Sequence, residues 1–536
     1  MKRFSMAAIF GIAVLLTFLA PVSASASPSC EGLMNLKIPD TTITSAALVP
    51  AGPYTPPGRP GSKMPTYEMP ALCSVHLVVK PAINIEVWMP VDDWNGRIAT
   101  VGDGSQAGFI NYIDMVTPLK LGYVTASTDT GHAQIQGATG AQNFAWAAGD
   151  PEILIGYGYR GVHEMTLKTK MVVAAFYGKD AQYNYFIGCS NAGRQALMEV
   201  QRYPNDYDGV LAGAPLVSWT KQMAEQYLWE ALVLFKDPES NIPVNKLPAI
   251  ADASMAACDA NDGVKDGLIS DPMRCHFNPA VLLCKAEDSP SCLTAKQIES
   301  LKKLYSGPIL DGKAVYQGYM PGSENRWTLV GTPEHYGGAL VSAQAFFRNA
   351  MYQDPNWDFH TWSYEKNLPE LRKKLSPILD AEDPNIKPFQ AHGGKLLIYQ
   401  GWADPTVAPM DTVRYYEDIE ATIKNPTDTA RMFMVPGMYH CGGGPGPHTF
   451  DPFSSLVGWV EHQHAPDRII TSNAPYNPLT AIGGPGGGIG VVNLDTPSTD
   501  VMRTRPLCPY PQTAQYTGQG STDDASNFVC KLPNSN

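Results

Sequence analysis

Short apolar runs bounded by proline, glycine and polar residues recur along the first part of the chain. Two of them, at residues 76–80 and 83–89, are separated by Pro81, which predicts a pair of antiparallel strands. The segments RIATVGDGSQAG (97–108) and GYVTASTDTGH (122–132) each begin as a strand and end in a loop of glycine or polar residues. The chain therefore opens as a β-rich segment.

The pattern then changes to strands that alternate with helices. An apolar run ending at Gly188 is followed by a small-residue turn, a helical pattern to about Arg202 and a strand, GVLAGAP (209–215). After a long interruption the same rhythm resumes in KLLIYQGWADPTVAP (395–409) and RMFMVPGMYHC (431–441). Strands alternating with helices predict a parallel sheet, so the predicted fold class is α/β.

The interruption between the two halves of this sheet has a different character. From about residue 216 to residue 392, helical patches, proline and glycine breaks, four cysteines and many aromatic residues replace the regular alternation. A sheet that is interrupted and then completed is typical of an α/β-hydrolase core with a large inserted lid. We expect the first part of the core at 27–217, the lid at 218–391, and the second part with the C-terminal tail at 392–536.

The first 26 residues have the three parts of a secretory signal peptide. Lys2 and Arg3 precede an apolar stretch at residues 6–20, and the sequence ASA at 24–26 forms a small-residue cleavage site. A membrane anchor is the alternative, but this apolar stretch is short for a membrane span. We therefore expect a cleaved signal and a soluble, exported mature protein.

The charge of the chain excludes some classes of partner. Lysine and arginine number 39 against 51 aspartate and glutamate residues, which gives a formal net charge of −12. This acidic excess argues against nucleic acids and anionic lipid surfaces as partners. Ten tryptophans and an aromatic content of 10% are ample for a sizeable core and an aromatic pocket.

All ten cysteines follow the predicted signal peptide, and an even number in an exported chain suggests disulfides. The sequence alone leaves about 900 complete pairings open. Proximity along the chain makes the pairs 258/275, 284/292 and 508/530 plausible. A metal site built on cysteines is a weak alternative, because no Cys-x-x-Cys pair occurs.

The turn at Ser190 has the residues that a nucleophile elbow requires. A serine in such a strained turn between a strand and a helix needs small residues two positions before it and two positions after it. Gly188 and Ala192 occupy these positions, and Gly193 follows. A simple strand-to-helix turn is the alternative interpretation of the same pattern.

The partners of a serine nucleophile follow it in the order acid and then histidine in this fold. Asp404 follows a late predicted strand and is the candidate acid, and His440 follows the next strand and is the candidate base. Asp411 is the alternative acid, although it follows Pro409 at the predicted start of a helix. The alternative histidines are farther from any strand end; they are His448, His462 and His464.

An oxyanion hole needs two backbone N–H donors, one from the residue after the nucleophile and one from the loop after an earlier strand. The first donor would be Asn191, and the second would be Gly104 or, as an alternative, Gly102. Cys189 adjoins the candidate nucleophile and Cys441 adjoins the candidate base. A disulfide between them would hold the catalytic pair in register, and this interpretation is favoured over a Cys189 nucleophile.

The motifs GCSNAGR, GWADP and YHC together resemble the Cys-Ser, Asp and His-Cys arrangement of the tannase and feruloyl esterase family. TASTDTGH and DYDGVLAGAP are also similar to segments of that family, and the similarity runs from about Cys30 to Cys530. Ala192 departs from the commoner glycine of the elbow, which affects how tightly the turn closes. The family also contains the hydrolase of the ethylene glycol monoester of terephthalate.

This resemblance implies an α/β-hydrolase core with an inserted lid, and the hydrolysis of aromatic acid esters. It assigns the catalytic triad to Ser190, Asp404 and His440 and adds a disulfide between Cys189 and Cys441. It also implies the remaining disulfides, which are Cys30–Cys73, Cys258–Cys275, Cys284–Cys292 and Cys508–Cys530.

The lid segment CDANDGVKDGLI (258–269) has three aspartates at close spacing, with glycines that allow a tight turn. Carboxylates are ligands that Ca²⁺ prefers, although the segment does not follow the EF-hand pattern. A polar surface turn is the alternative. The resemblance implies a structural Ca²⁺ site here, whose ligands would be Asp259, Asp262 and Asp266 with the carbonyl groups of Val264 and Leu268.

The lid also has a concentration of aromatic residues. Such a group suits stacking on a phenolic or cinnamic acyl group, but we expect many of its members to form the core of the lid. These aromatic residues are Phe346, Phe347, Tyr352, Trp357, Phe359, Trp362 and Tyr364, and Trp402 is a further candidate near Asp404. In the terephthalate-monoester enzyme a lid arginine recognises the free carboxylate, and the resemblance matches neither Arg326 nor Arg348 to it.

Together these features predict an exported serine esterase that releases hydroxycinnamic or gallic acids through an acyl-enzyme, feruloyl esterase-like in its specificity. Tannase activity and terephthalate-monoester hydrolysis are alternatives on the same scaffold. A secreted serine peptidase is disfavoured, because no additional substrate-gating domain is visible in the sequence. A calcium-dependent exported binding module without activity is the non-enzymatic alternative.

Overall fold

The structure is a computed structural model that describes residues 1, 29–57, 64–132, 144–310, 312–327, 338–473 and 503–533. The signal peptide predicted at 1–26 therefore lies, apart from Met1, outside the described residues. Within the described part of the chain, no helix combines the length and the apolar character that a membrane span requires.

The described residues form seventeen strands and thirteen α-helices. The strands are β1 (Thr41–Val49), β2 (Gly52–Tyr54), β3 (Tyr67–Met69), β4 (Leu72–Val79), β5 (Ile83–Pro90), β6 (Arg97–Val101), β7 (Thr125–Thr128), β8 (Tyr183–Cys189), β9 (Gly209–Gly213), β10 (Ile309–Leu310), β11 (Lys313–Ala314), β12 (Lys395–Gly401), β13 (Ala430–Val435), β14 (Ile469–Ser472), β15 (Thr504–Leu507), β16 (Thr513–Tyr516) and β17 (Phe528–Lys531). The helices are α1 (Tyr112–Lys120), α2 (Pro151–Ile155), α3 (Gly161–Tyr177), α4 (Asn191–Arg202), α5 (Trp219–Lys221), α6 (Leu228–Phe235), α7 (Leu247–Cys258), α8 (Ala295–Ser306), α9 (Gly338–Phe346), α10 (Tyr364–Leu379), α11 (Lys387–His392), α12 (Pro409–Thr422) and α13 (Pro452–His462). Three π-helical segments extend some of them: Gly156–Arg160, Gln222–Tyr227 and Phe347–Met351.

A parallel five-stranded sheet in the order β13-β12-β9-β8-β6 carries the candidate site. Its central strands are buried on both faces, which explains their continuous apolar runs. This arrangement confirms the predicted α/β fold class. The C-terminal ends of β8, β12 and β13 lie at one edge, where the candidate nucleophile, acid and base follow.

An antiparallel sheet in the order β1-β4-β5-β7 continues from β6. The two sheets are joined where the amide of Ala99 donates to the carbonyl of Val124 over 2.8 Å. The predicted antiparallel pair is confirmed as β4 and β5, with Leu77 opposite Ile85. Strand β4 begins four residues earlier than predicted, at Leu72, because its buried and half-buried residues already alternate from there.

The lid lies between the end of β9 and the beginning of β12, and it has an apolar core of its own. Most of the aromatic residues predicted to stack on an acyl group are part of this core. Phe347 packs at 4.7 Å from the rings of both Trp357 and Trp362, and Phe346 and Phe359 are also buried there. These side chains stabilise the lid by mutual packing, which agrees with the expectation that many of the lid aromatics belong to its core.

All ten cysteines are paired, and the five disulfides are those that the family resemblance implies. They are Cys30–Cys73, Cys189–Cys441, Cys258–Cys275, Cys284–Cys292 and Cys508–Cys530. The last of them lies between the end of β15 and β17, so it ties together the described part of the C-terminal tail.

Candidate active site

Ser190 lies at the sharp turn between β8 and α4, with φ of 67° and ψ of −125°. Residues other than glycine rarely adopt this backbone conformation. A Cβ atom on Gly188 would lie 2.3 Å from the carbonyl oxygen of Ala192, and one on Gly193 would lie 2.6 Å from that of Gly213. The small residues in the motif are therefore a steric requirement of the turn. The methyl group of Ala192 is accommodated because residue 188 has no side chain.

Ser190, His440 and Asp404 form a continuous chain of hydrogen bonds. The Nε2 atom of His440 lies 2.8 Å from Ser190 Oγ, and its Nδ1 atom lies 2.7 Å from Asp404 Oδ2. A carboxylate only accepts, so Nδ1 carries the ring proton and Nε2 is left to accept the serine hydroxyl. This is the geometry of a general base aligned on a nucleophile.

Asp404 is fully buried and its carboxylate is held on both oxygens. Oδ1 accepts from the backbone amides of Thr406 at 2.8 Å and Val407 at 3.0 Å, and Oδ2 also accepts from Gln400 Nε2 at 3.0 Å. Four donors thus hold a carboxylate that lies out of contact with solvent. Gln400 could not be predicted from the sequence, because a strand pattern does not show which side chain reaches the acid.

The structure brings none of the alternative residues to Ser190. Asp411 lies within α12, where burial raises the pKa of its carboxyl to about 6, and Lys221 opposes that shift. His448 Nδ1 bonds the carbonyl of Gly446, and the rings of the other two histidines lie near each other at the end of α13. Cys189 cannot serve as a nucleophile because its sulfur is in a disulfide.

The Cys189–Cys441 disulfide joins the residue before Ser190 to the residue after His440. It bridges 252 positions of sequence with a Cα–Cα distance of 6.0 Å. Cys441 is buried and has φ of 61°, so the histidine loop also turns sharply at this point. The cross-link therefore fixes the separation of the two loops that carry the nucleophile and the base.

The candidate oxyanion hole lies between the elbow and the loop after β6. The amide of Gly102 donates to the carbonyl of Ile187, and that of Asp103 donates to Gln195 Oε1, so neither is available to a substrate. Gly104 has the next amide along the loop, and no described residue accepts a hydrogen bond from it. The amide of Asn191, at the first position of α4, is likewise left without an acceptor among the described residues.

The side chain of Asn191 connects the two halves of this candidate oxyanion hole. Its Nδ2 atom donates to the carbonyl of Asp103 over 3.0 Å, and its Oδ1 atom accepts from the hydroxyl of Tyr157 at 2.9 Å. Arg194 and Trp219 also donate to Oδ1, at 2.8 and 3.3 Å. Sequence reasoning missed these three partners of Asn191, because two of them lie about thirty residues away and the arginine is fully buried.

A buried histidine supports the same loop from its other side. His132 Nε2 lies 2.7 Å from the carbonyl of Gln106, and its ring stacks on Trp146. Burial lowers the pKa of His132 to about 4, so the ring is neutral above that pH and Nε2 donates to this carbonyl. The loop that carries Gly104 is therefore held on both sides by hydrogen bonds between uncharged groups.

The predicted cation loop is folded by hydrogen bonds to its own aspartates. Asp259 Oδ1 accepts from the amides of residues 266, 267 and 268, and Asp262 accepts from the amide of Val264 and the hydroxyl of Ser270. Asp266 pairs with Arg505 through Oδ2, whereas its buried Oδ1 has no hydrogen-bond partner among the described residues. Burial has the largest influence on the pKa of the Asp266 carboxyl, and it raises that pKa.

The chemistry of this loop fits a cation, because an orphaned carboxylate oxygen that is out of contact with solvent is stabilised by a positive ligand. Among the described residues, two clusters of three side chains have their potential metal-ligating atoms within 4.8 Å of one another. Asp259, Asp262 and Asp266 do not form such a cluster. A bound ion would therefore have to draw the carboxylates of this loop together.

Three further residues named from the sequence lie in different environments. The guanidinium of Arg348 donates to the carbonyl of Trp357 inside the lid. The exposed guanidinium of Arg326 lies 5.3 Å from the ring centre of Tyr439, the residue before His440. Trp402 is buried and lines a small cavity with residues of the lid, including Leu268.

The sequence and the fold both match proteins of known families. The sequence profile described as tannase and feruloyl esterase matches residues 71–531. An uncharacterized esterase of Xanthomonas campestris pv. campestris is 35% identical, over 97% of this chain and 95% of that protein. The mono(2-hydroxyethyl) terephthalate hydrolase of Piscinibacter sakaiensis is 30% identical, over 84% of this chain and 82% of that enzyme.

Among solved structures, feruloyl esterase B from Aspergillus oryzae has a similar fold. The two chains superpose with a TM-score of 0.81 at 26% sequence identity. The match covers 92% of this chain and 98% of the fungal enzyme, so the similarity includes both the core and the lid.

Proposed function

Because this chain belongs to the tannase and feruloyl esterase family, we propose that Ser190, His440 and Asp404 hydrolyse esters of aromatic acids through an acyl-enzyme. Family membership makes the protein a carboxylic ester hydrolase, which sets aside the peptidase and binding-module alternatives. The assignment of these three residues rests on the chain of hydrogen bonds from Ser190 Oγ through the His440 imidazole to Asp404.

In the proposed reaction, Ser190 Oγ attacks the ester carbonyl while His440 Nε2 takes the hydroxyl proton. The oxyanion that forms is stabilised by the amides of Asn191 and Gly104. His440 then gives its proton to the departing alcohol, which leaves an acyl-enzyme. Water attacks this second ester with His440 again as the base, and the free acid and Ser190 are regenerated. Asp404 stabilises the imidazolium in both steps.

The acyl specificity is proposed from the relatives. The Aspergillus oryzae protein is named a feruloyl esterase and the family description includes tannase, so hydroxycinnamic and gallic esters are the first substrates to test. We expect the wild-type protein to hydrolyse methyl ferulate or methyl gallate, measured by release of the free acid. A folded protein that hydrolyses neither ester would contradict the proposed acyl specificity.

Monoesters of aromatic diacids are a second candidate substrate class, and the position of Arg326 favours it. Its exposed guanidinium lies over the ring of Tyr439 beside His440, where it could pair with a free carboxylate of the acyl group. Mono(2-hydroxyethyl) terephthalate therefore belongs in the same assay. If this class is correct, Arg326→Ala raises KM for the terephthalate monoester and leaves KM for methyl ferulate unchanged, with Arg348→Ala as the lid control.

Export is proposed from the N-terminal sequence and the disulfides. The predicted signal at 1–26 directs secretion, and five disulfides form and persist in oxidising compartments such as the periplasm or the extracellular space. N-terminal sequencing of the protein recovered from culture medium or periplasm tests this, with cleavage after Ala26 as the expected result.

A structural Ca²⁺ ion in the loop of Asp259, Asp262 and Asp266 is also proposed. Bound Ca²⁺ would neutralise the buried Asp266 oxygen and complete its shell with the carbonyls of Val264 and Leu268. We expect EDTA to lower the melting temperature by about 1 °C for each kcal/mol of lost binding, because the entropy of unfolding of a 536-residue chain is large, and Ca²⁺ to restore it.

Two variants make the calcium test specific. Asp266→Asn should start from a lower melting temperature and no longer respond to EDTA, because the ion would lose a charged ligand. Asp271→Asn changes a neighbouring carboxylate that only caps a short helical turn, and it should keep the EDTA response. A wild-type protein that does not respond to EDTA would show that the loop binds no stabilising ion.

A further inference from the structure

Hydrogen bonds join the lid to the loop that carries the catalytic acid. The carboxylate of Asp404 is oriented by the amides of residues 406 and 407, so its direction depends on the conformation of the loop at 404–407. Two backbone carbonyls of this loop, at Pro405 and Thr406, point away from the triad toward the lid.

Both carbonyls accept hydrogen bonds from one segment of the lid. Gln222 Nε2 donates to Thr406 O over 2.7 Å, and Gln226 Nε2 donates to Pro405 O over 3.1 Å. The hydroxyl of Tyr227 donates to Thr406 O over 3.3 Å. All three donors are buried, so water does not replace any of them readily.

The local structure of the lid explains why these side chains face the loop together. Residues Gln222–Tyr227 form a π-helical segment between α5 and α6, and such wider turns often occur at functional sites. Gln226 is also held from its other end, because its Oε1 accepts from the hydroxyl of Tyr316 at 3.0 Å. The carbonyl of Pro405 can only accept, so the amide nitrogen of Gln226 faces it and Oε1 is left for the hydroxyl of Tyr316.

From this geometry we propose that Gln222 and Gln226 are positioning residues, through which the lid sets the orientation of Asp404 toward His440. The inference rests on the proposed serine mechanism and extends it to the lid. Neither side chain contacts the reacting atoms, so their loss should leave substrate binding intact and misdirect the imidazole. A displacement of a catalytic group by about 1 Å can lower the rate about a hundredfold.

The test replaces Gln226 with methionine, which keeps the length of the side chain and removes the donor. We expect kcat/KM for methyl ferulate to fall between about tenfold and about a hundredfold through kcat, with KM unchanged. The loss of kcat/KM for 4-nitrophenyl ferulate should be at least about threefold smaller, because nitrophenolate leaves without needing a proton from His440. Gln222→Met should give the same pattern. If Gln226→Met does not fold, the Gln222→Met result tests the inference.

Gln297→Met is the matched control. This buried lid glutamine donates to the carbonyl of Asn241 and closes the N-terminal cap of α8, so its replacement costs stability without reaching the acid loop. It should change neither kcat nor the ratio between the two esters. Wild-type kcat in both Gln222→Met and Gln226→Met, or an unchanged ester ratio, would overturn the inference. A wild-type protein inactive on both esters would instead contradict the proposed function.

Discussion

Replacement of Ser190 by alanine is expected to lower kcat/KM for the preferred ester by at least about a thousandfold. The substitution removes the hydroxyl that lies 2.8 Å from His440 Nε2, and no acyl-enzyme can form without it. The donors of the candidate oxyanion hole are backbone amides and remain, so a small residual rate and ordinary substrate affinity should persist.

The Ser190→Ala measurement requires a control for the general effects of removing a serine hydroxyl. Ser254→Ala provides it, because Ser254 is fully buried in lid helix α7 and its hydroxyl donates to a backbone carbonyl there. Equal activity of the wild type and Ser254→Ala is expected. If Ser190→Ala stays within tenfold of the wild type, Ser190 is not the nucleophile.

Asp404→Asn is expected to lower kcat by about a thousandfold to ten-thousandfold, because it reverses a hydrogen bond in the triad. The amides of Thr406 and Val407 donate to Oδ1, so they would hold the carbonyl oxygen of an asparagine in that position. The amide nitrogen would then face His440 Nδ1. The imidazole would have to keep its proton on Nε2, where it could no longer accept the proton of Ser190.

Asp411→Asn is the matched control for this substitution. Asp411 is the other aspartate considered from the sequence and is also buried, with a pKa raised to about 6 by burial, so a neutral asparagine changes its charge least below that pH. We expect Asp411→Asn to retain most of the wild-type kcat. A larger loss in Asp411→Asn than in Asp404→Asn would mean that the acid has been assigned to the wrong loop.

The choice of the histidine follows from the same geometry. His440 is the histidine whose two ring nitrogens join Ser190 and Asp404, whereas His448 bonds a neighbouring backbone carbonyl. The Cys189–Cys441 disulfide lies directly behind this pair and links the two loops covalently. The hydrogen bonds from the lid then act on the third member of the triad, so all three loops are restrained by separate contacts.

The features predicted correctly from the sequence are those with a local physical cause. A side chain at residue 188 would collide with Ala192 four positions later in the same turn, and a continuous apolar run marks a strand buried on both faces. Because parallel strands end at one edge of the sheet, the loops of Asp404 and His440 could be expected to meet Ser190 there.

Only the tertiary structure decided which side chains support these residues. Gln400 binds the acid, Asn191 links the elbow to the loop of Gly104, and Gln222 and Gln226 reach a loop about 180 positions away. The same holds for the lid aromatics, several of which fill its core instead of lining a substrate pocket. A residue type and its spacing determine local conformation, whereas the partner of a buried side chain depends on how distant elements pack.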